Sequence, residues 1–127
     1  MNLFTKSQFE QLLANGRNRD ADHFPVVKLF TPDAGCTWLI AEIDPENPDI
    51  AFGLCDLGQG YPELGSVSIS ELCRLRGSLG LPVERDQAFS AAYPLSVYLA
   101  AAREAGRITE FHVDLKHAAA ERDAWGS

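Results

Sequence analysis

The sequence predicts an α+β fold: an antiparallel β-meander of about four strands with short helices at both ends. Three observations carry this expectation. Strand-length apolar runs between residues 26 and 69 are separated by turns bearing Pro, Gly and Asp. Capping-box patterns stand at Thr5-Lys6-Ser7-Gln8 and Ser68-Ile69-Ser70-Glu71. Near the C-terminal end, Pro94 precedes Leu95, Tyr98, Leu99 and Ala102 at helical spacing.

The first capping box puts Phe9, Leu12 and Leu13 on one face of a short helix, with Gly16 placed to end it. Polar residues then lead to Pro25 and a strand, Val26-Val27-Lys28-Leu29-Phe30, closed by the turn Thr31-Pro32-Asp33-Ala34-Gly35. Residues 36–43 and 50–57 form the next two strands. The two prolines of Asp44-Pro45-Glu46-Asn47-Pro48-Asp49 deny both helix and ladder, which makes this the turn of a hairpin. If Ile43 faces Ile50, Trp38 falls opposite Cys55 and the thiol packs beside the indole. A glycine-bearing loop precedes a fourth strand at residues 64–69. The second capping box opens a helix carrying Leu72, Cys73 and Leu75, which Gly77 stops. Residues 77–86 read as ordered loop, since their glycines and proline oppose regular structure while their leucines and valine seek burial. The helix after Pro94 ends at Gly106. Phe111, Val113 and Leu115 alternate with His112, Asp114 and Lys116, as in an edge strand, although Ile108, Phe111 and Leu115 also fit a helix face. The 118–127 tail is weakly helix-prone.

A chain of 127 residues has the size of one domain built on one core. No apolar run approaches the ~20 residues that cross a bilayer, and the N-terminal segment lacks the charged and apolar blocks of a secretion signal, so a cytoplasmic protein with no membrane partner is expected. Cys36, Cys55 and Cys73 are odd in number and form no C-x-x-C pair. Reduced, buried thiols are therefore expected rather than disulfides or a zinc ribbon.

The net charge of −7 is unevenly placed. Between Lys28 and Arg74 stand eight acids, Asp33, Glu42, Asp44, Glu46, Asp49, Asp56, Glu63 and Glu71, and no Lys or Arg. The remaining chain has ten acids against eleven bases, so the whole excess sits in the middle third. Such a region repels phosphate backbones, which disfavours direct nucleic-acid binding.

Motifs for phosphate, zinc and acyl chemistry are absent from the sequence. Gly58-Gln59-Gly60 runs into Tyr61-Pro62 rather than a helix and is flanked by Asp56 and Glu63, so it reads as a plain turn. His112, Asp114 and His117 resemble metal ligands, but on a strand His117 points away from the other two, and solvent-facing polar residues are the simpler reading. His23 reads as a loop residue. Cys73 lies near a capped helix start with Arg74 and Arg76 close by, yet a nucleophile needs a base, and a small buried hydrophobe is the simpler role. Arg85, between Glu84 and Asp86, reads first as a clamp holding chain segments through salt bridges and second as a ligand contact.

Phe30-Thr31-Pro32, Thr37-Trp38, Phe52-Gly53-Leu54, Glu63-Leu64-Gly65, Ser68-Ile69-Ser70-Glu71-Leu72, Arg76-Gly77 and Gly80-Leu81-Pro82-Val83-Glu84-Arg85-Asp86 carry a family likeness. In order and spacing they resemble the bacterial family known as domain of unknown function 2958. The likeness covers residues 26–89, a family-like core within a single domain of residues 1–127, and residues 93–127 extend past it. The resemblance implies a product of conjugative plasmids and other mobile elements, and brings no activity and no catalytic residues.

The leading expectation is a non-catalytic accessory protein that binds another protein through Asp44, Glu46, Asp49, Asp56, Glu63 and Arg85, without metal or cofactor. The alternatives are an acidic DNA mimic that inhibits a host defence enzyme, and a small enzyme using Cys73 or the histidines. Self-association through the C-terminal segment stays open.

Overall fold

The computed structural model describes residues 3–126; Met1, Asn2 and Ser127, the extremes of the two predicted terminal segments, lie outside the described residues. Helix α1 (Lys6–Gly16) precedes strands β1 (Val27–Phe30), β2 (Thr37–Ile43), β3 (Ile50–Asp56) and β4 (Glu63–Ser68). Then come α2 (Ile69–Arg74), a two-residue β5 (Glu84–Arg85), α3 (Leu95–Ala105) and α4 (His112–Gly126). The strands form one antiparallel sheet in the order β4-β3-β2-β1-β5. The predicted α+β meander is present, with a fifth strand added inside the segment expected to be loop.

The expected capping box of α1 is complete: Gln8 N–H donates to Thr5 Oγ1 at 3.1 Å, and Thr5 N–H donates to Gln8 Oε1 at 2.9 Å. Gly16 closes the helix for a different reason from the one expected. It is not left-handed; a Cβ there would lie 1.9 Å from the Ile43 carbonyl oxygen, so the missing side chain lets α1 lie directly on β2.

Two apolar layers sandwich the sheet. On one side Leu12 of α1 and Leu72 of α2 pack on Val27, Leu29, Trp38, Ile40, Ile43 and Ala51. On the other, Leu95, Val97, Tyr98, Ala101 and Ala102 of α3 and Leu115 and Ala118 of α4 cover Leu39, Ala41 and Leu54. Full burial of one such side chain, Leu12 for instance, is worth roughly 1.5–3 kcal/mol.

Trp38 stands opposite Cys55, as the hairpin reading requires. The turn end is displaced by one residue, because Ile43 pairs with Ala51 rather than Ile50. A bulge between Ile40 and Glu42 absorbs the difference and turns Ile43 to the same face as Trp38 and Ile40.

Three local expectations are corrected. The predicted edge strand after residue 110 is the start of α4. Phe111 and Val113 remain exposed while Leu115 and Ala118 are buried, a helical rather than alternating pattern. Asp114 Oδ2 accepts from Thr109 Oγ1 at 2.8 Å, and Thr109 Oγ1 accepts from Phe111 N–H at 3.2 Å, which organises the helix entry. Helix α2 ends at Arg74, before Gly77. Arg85 forms no salt bridge among the described residues; the ionic link in this region runs through Lys28, whose Nζ lies 2.5 Å from Glu110 Oε2 and 3.5 Å from Asp86 Oδ2.

Candidate functional site

An open concavity follows from how three short elements meet. Thr5 starts α1, Pro48-Asp49 closes the β2–β3 turn, and Ser68 caps α2 by accepting from Glu71 N–H at 3.2 Å. Asp49 ties the turn to α2: its carboxylate accepts from Ser68 Oγ at 2.6 Å, Ser70 N–H at 2.9 Å and Ser70 Oγ at 3.0 Å. Its carbonyl accepts from Ile69 N–H at 2.7 Å. The Ser68 hydroxyl and then the Ser70 N–H hold the Asp49 carboxyl below the usual carboxylate range.

Between these elements lies an open groove of about 520 Å³, lined by Leu3, Phe4, Phe9, Pro48, Ile69 and Cys73, with Thr5, Lys6 and Asp49 at its polar positions. The apolar lining suits an aliphatic or aromatic anchor, and Asp49 sets one edge of negative charge beside it. Asp44 shapes the turn itself, its Oδ1 accepting from Glu46 N–H at 2.9 Å, and Glu46 is exposed.

The predicted acidic residues do not form one surface. Asp44, Glu46 and Asp49 occupy the turn between β2 and β3, whereas Asp56 and Glu63 stand at the far end of β3 and the start of β4. Glu63 is exposed. Asp56 is buried, and both its oxygens are engaged: Oδ1 by Gly58 N–H and Oδ2 by Ile108 N–H, each at 2.9 Å. It fastens the segment after α3 to the end of β3 and presents no free oxygen to a partner. Arg85 lies at the opposite sheet edge, paired across the ladder with Leu29.

The thiols are less buried than expected. Cys36 and Cys55 are half-buried and Cys73 is exposed, because α2 turns Leu72 inward and Cys73 toward the groove. Burial pushes the Cys55 thiol up. No histidine lines the groove beside Cys73. His23 is half-buried with Nε2 2.6 Å from the Asn18 carbonyl, while His117 pairs with Glu121 on α4 at 3.1 Å. The groove itself escaped sequence reasoning. It depends on Leu3 and Phe4, which precede the first element, meeting Pro48 and Ile69 from distant parts of the chain, and no local pattern signals that meeting.

A family model described as a protein of unknown function, DUF2958, matches residues 3–109. The chain belongs to this family. The match takes in α1, the whole sheet and α3, a wider span than the likeness read over residues 26–89, and leaves α4 beyond it. No curated protein and no solved structure matches the chain. Among the described residues, no helix is long and apolar enough to cross a membrane.

Proposed function

We propose that this DUF2958 member is a non-catalytic protein-binding module, an accessory protein of a mobile element. Its groove takes an apolar anchor from a partner segment that also carries basic residues. One observation supports the reading above others: an apolar groove of about 520 Å³ opens beside Asp49 and the turn bearing Asp44 and Glu46, where three carboxylates stand within six residues and Lys6 is the one basic residue in the groove lining. The anchor supplies burial, and the neighbouring carboxylates supply orientation and a faster approach for a cationic segment.

Cys73 offers the direct test, since an adduct on it would fill the groove. A partner captured from the native host is titrated against the protein before and after reaction with a bulky maleimide, with Cys73→Ser as the unlabelled control. Binding should be lost on labelling, retained in the control, and weakened with a flatter salt dependence by Glu46→Lys. Full binding after labelling of Cys73 would refute the groove, and an unaltered salt dependence would remove the acidic turn from recognition.

A further inference from the structure

Glu104 near the end of α3 and His117 and Glu121 of α4 converge at the seam between the two helices. One ligand atom from each lies within 4.8 Å of the others, and all three side chains are exposed. His117 and Glu121 are four residues apart on one helix face, with Nε2 and Oε1 separated by 3.1 Å. Glu104 reaches them from the neighbouring helix, and no ion pair involves it among the described residues. Two carboxylates and an imidazole thus face one point with no Lys or Arg paired to any of them. His112 and Asp114, weighed from sequence as ligands beside His117 and set aside, do not join it; Asp114 instead accepts from Thr109.

We infer that Glu104, His117 and Glu121 form a binding site for a divalent transition-metal ion of the zinc type, which staples α4 to α3. One imidazole nitrogen and two carboxylate oxygens match the donor set of three-ligand zinc sites, and bonds of roughly 2.0–2.2 Å need only small rotations of exposed side chains. The ion's charge offsets that of the two carboxylates. A cavity of about 300 Å³, lined by Ala101, Glu104, Ala105, Val113, Asp114 and His117, adjoins the cluster and leaves room for water at the remaining coordination positions. The mechanical consequence follows from the seam. Helix α4 lies beyond the family match; among the described residues it buries Leu115 and Ala118 against α3 and its Arg122 donates to Ser96 Oγ at 2.9 Å, and a cross-helix ion adds a further tether at the seam.

The test titrates the full chain with Zn²⁺ by calorimetry and with Co²⁺ by absorption spectroscopy, alongside amide hydrogen exchange of α4. One equivalent should bind, with a Co²⁺ spectrum free of thiolate charge transfer and slower exchange in α4. His117→Ala and Glu104→Gln should each weaken binding by at least about tenfold, the loss that even an outer-shell partner produces. Cys73→Ser should leave binding unchanged. The site is overturned by absence of saturable binding, by a thiolate band lost in Cys73→Ser, or by affinities that both helix variants leave intact.

Discussion

Gly77 and Asp33 share a space with room for only one side chain. A Cβ at Gly77 would lie 1.7 Å from Asp33 Oδ1. The other carboxylate oxygen accepts from Leu79 N–H at 2.6 Å and Leu81 N–H at 3.2 Å, while Ser78 Oγ donates to the Asp33 carbonyl at 3.0 Å. One aspartate in the β1–β2 turn thereby organises the loop that leads to β5. This gives a physical reason for the Arg76-Gly77 and Gly80-Leu81-Pro82 motifs: the loop is shaped to wrap a carboxylate, with Gly80 supplying a left-handed turn at φ +80°.

Gly77→Ala should therefore destabilise the fold by about 1–3 kcal/mol, because the added methyl displaces the Asp33 carboxylate from the loop amides it holds. In an Asp33→Ala background the same substitution should cost far less, because the clashing carboxylate is gone. A double-mutant cycle by chemical denaturation measures the difference. Equal costs in both backgrounds would show that the two residues are independent.

Asp49 makes the junction of the β2–β3 turn with α2 sensitive to acid. Its carboxyl ionises at lower pH folded than unfolded, so its stabilisation is complete above the ordinary aspartate range, about pH 4, and is lost as pH falls through the lowered folded value. Asp49→Asn should flatten this part of the stability–pH profile and lower stability at neutral pH. Denaturation midpoints from pH 2 to 7 for both proteins test it, and parallel profiles would contradict it. Triple charge reversal at Asp44, Glu46 and Asp49 should also be destabilising, since two of the three carboxylates hold the turn and the α2 start.

Native thiol titration should show one fast group and two slow ones. Cys73 is exposed, whereas Cys36 and Cys55 are half-buried and desolvation disfavours the Cys55 thiolate. Cys73→Ser should remove the fast phase, and denaturant should merge the rest. A fast phase surviving that substitution would mean that the sheet opens readily around Cys36 or Cys55.

Lys28→Ala should destabilise by about 1–2 kcal/mol, whereas Arg85→Ala should stay within about 0.5 kcal/mol. Lys28 lies between Asp86 and Glu110 and joins β1 to the segment before α4, but Arg85 has no ionic partner among the described residues. Urea unfolding of both variants separates them, and the reverse order would restore the clamp to Arg85.

Much of the fold was legible because it is written locally. Thr5 and Gln8, Ser68 and Glu71, and Pro94 with Gly106 mark helix ends through backbone chemistry within a few residues. The Trp38–Cys55 pairing was also reachable, although only because the bulge near Glu42 compensates for a turn one residue longer than expected, and no residue there announces a bulge. The strand expected at residues 111–115 failed for a related reason. Phe111 and Val113 alternate correctly but nothing covers them, and Asp114 with Thr109 favours a helix entry instead. The acidic residues were visible as a run in sequence, yet the hairpin sends them to opposite ends of the sheet, and Asp56 is consumed by Gly58 and Ile108. Long-range partners of this kind are set by packing, which local pattern does not encode.

In β2, six consecutive residues from Trp38 to Ile43 are buried. With helices on both faces, neither the odd nor the even positions of this strand have solvent to retreat to. A saturation library should find uniform intolerance along β2, without the two-residue rhythm of a one-sided sheet. Half-exposed β4 should accept polar substitutions more freely. As lineages of this fold diverge, side-chain volume along β2 would then be the last thing to drift, and the edge at β4 the first.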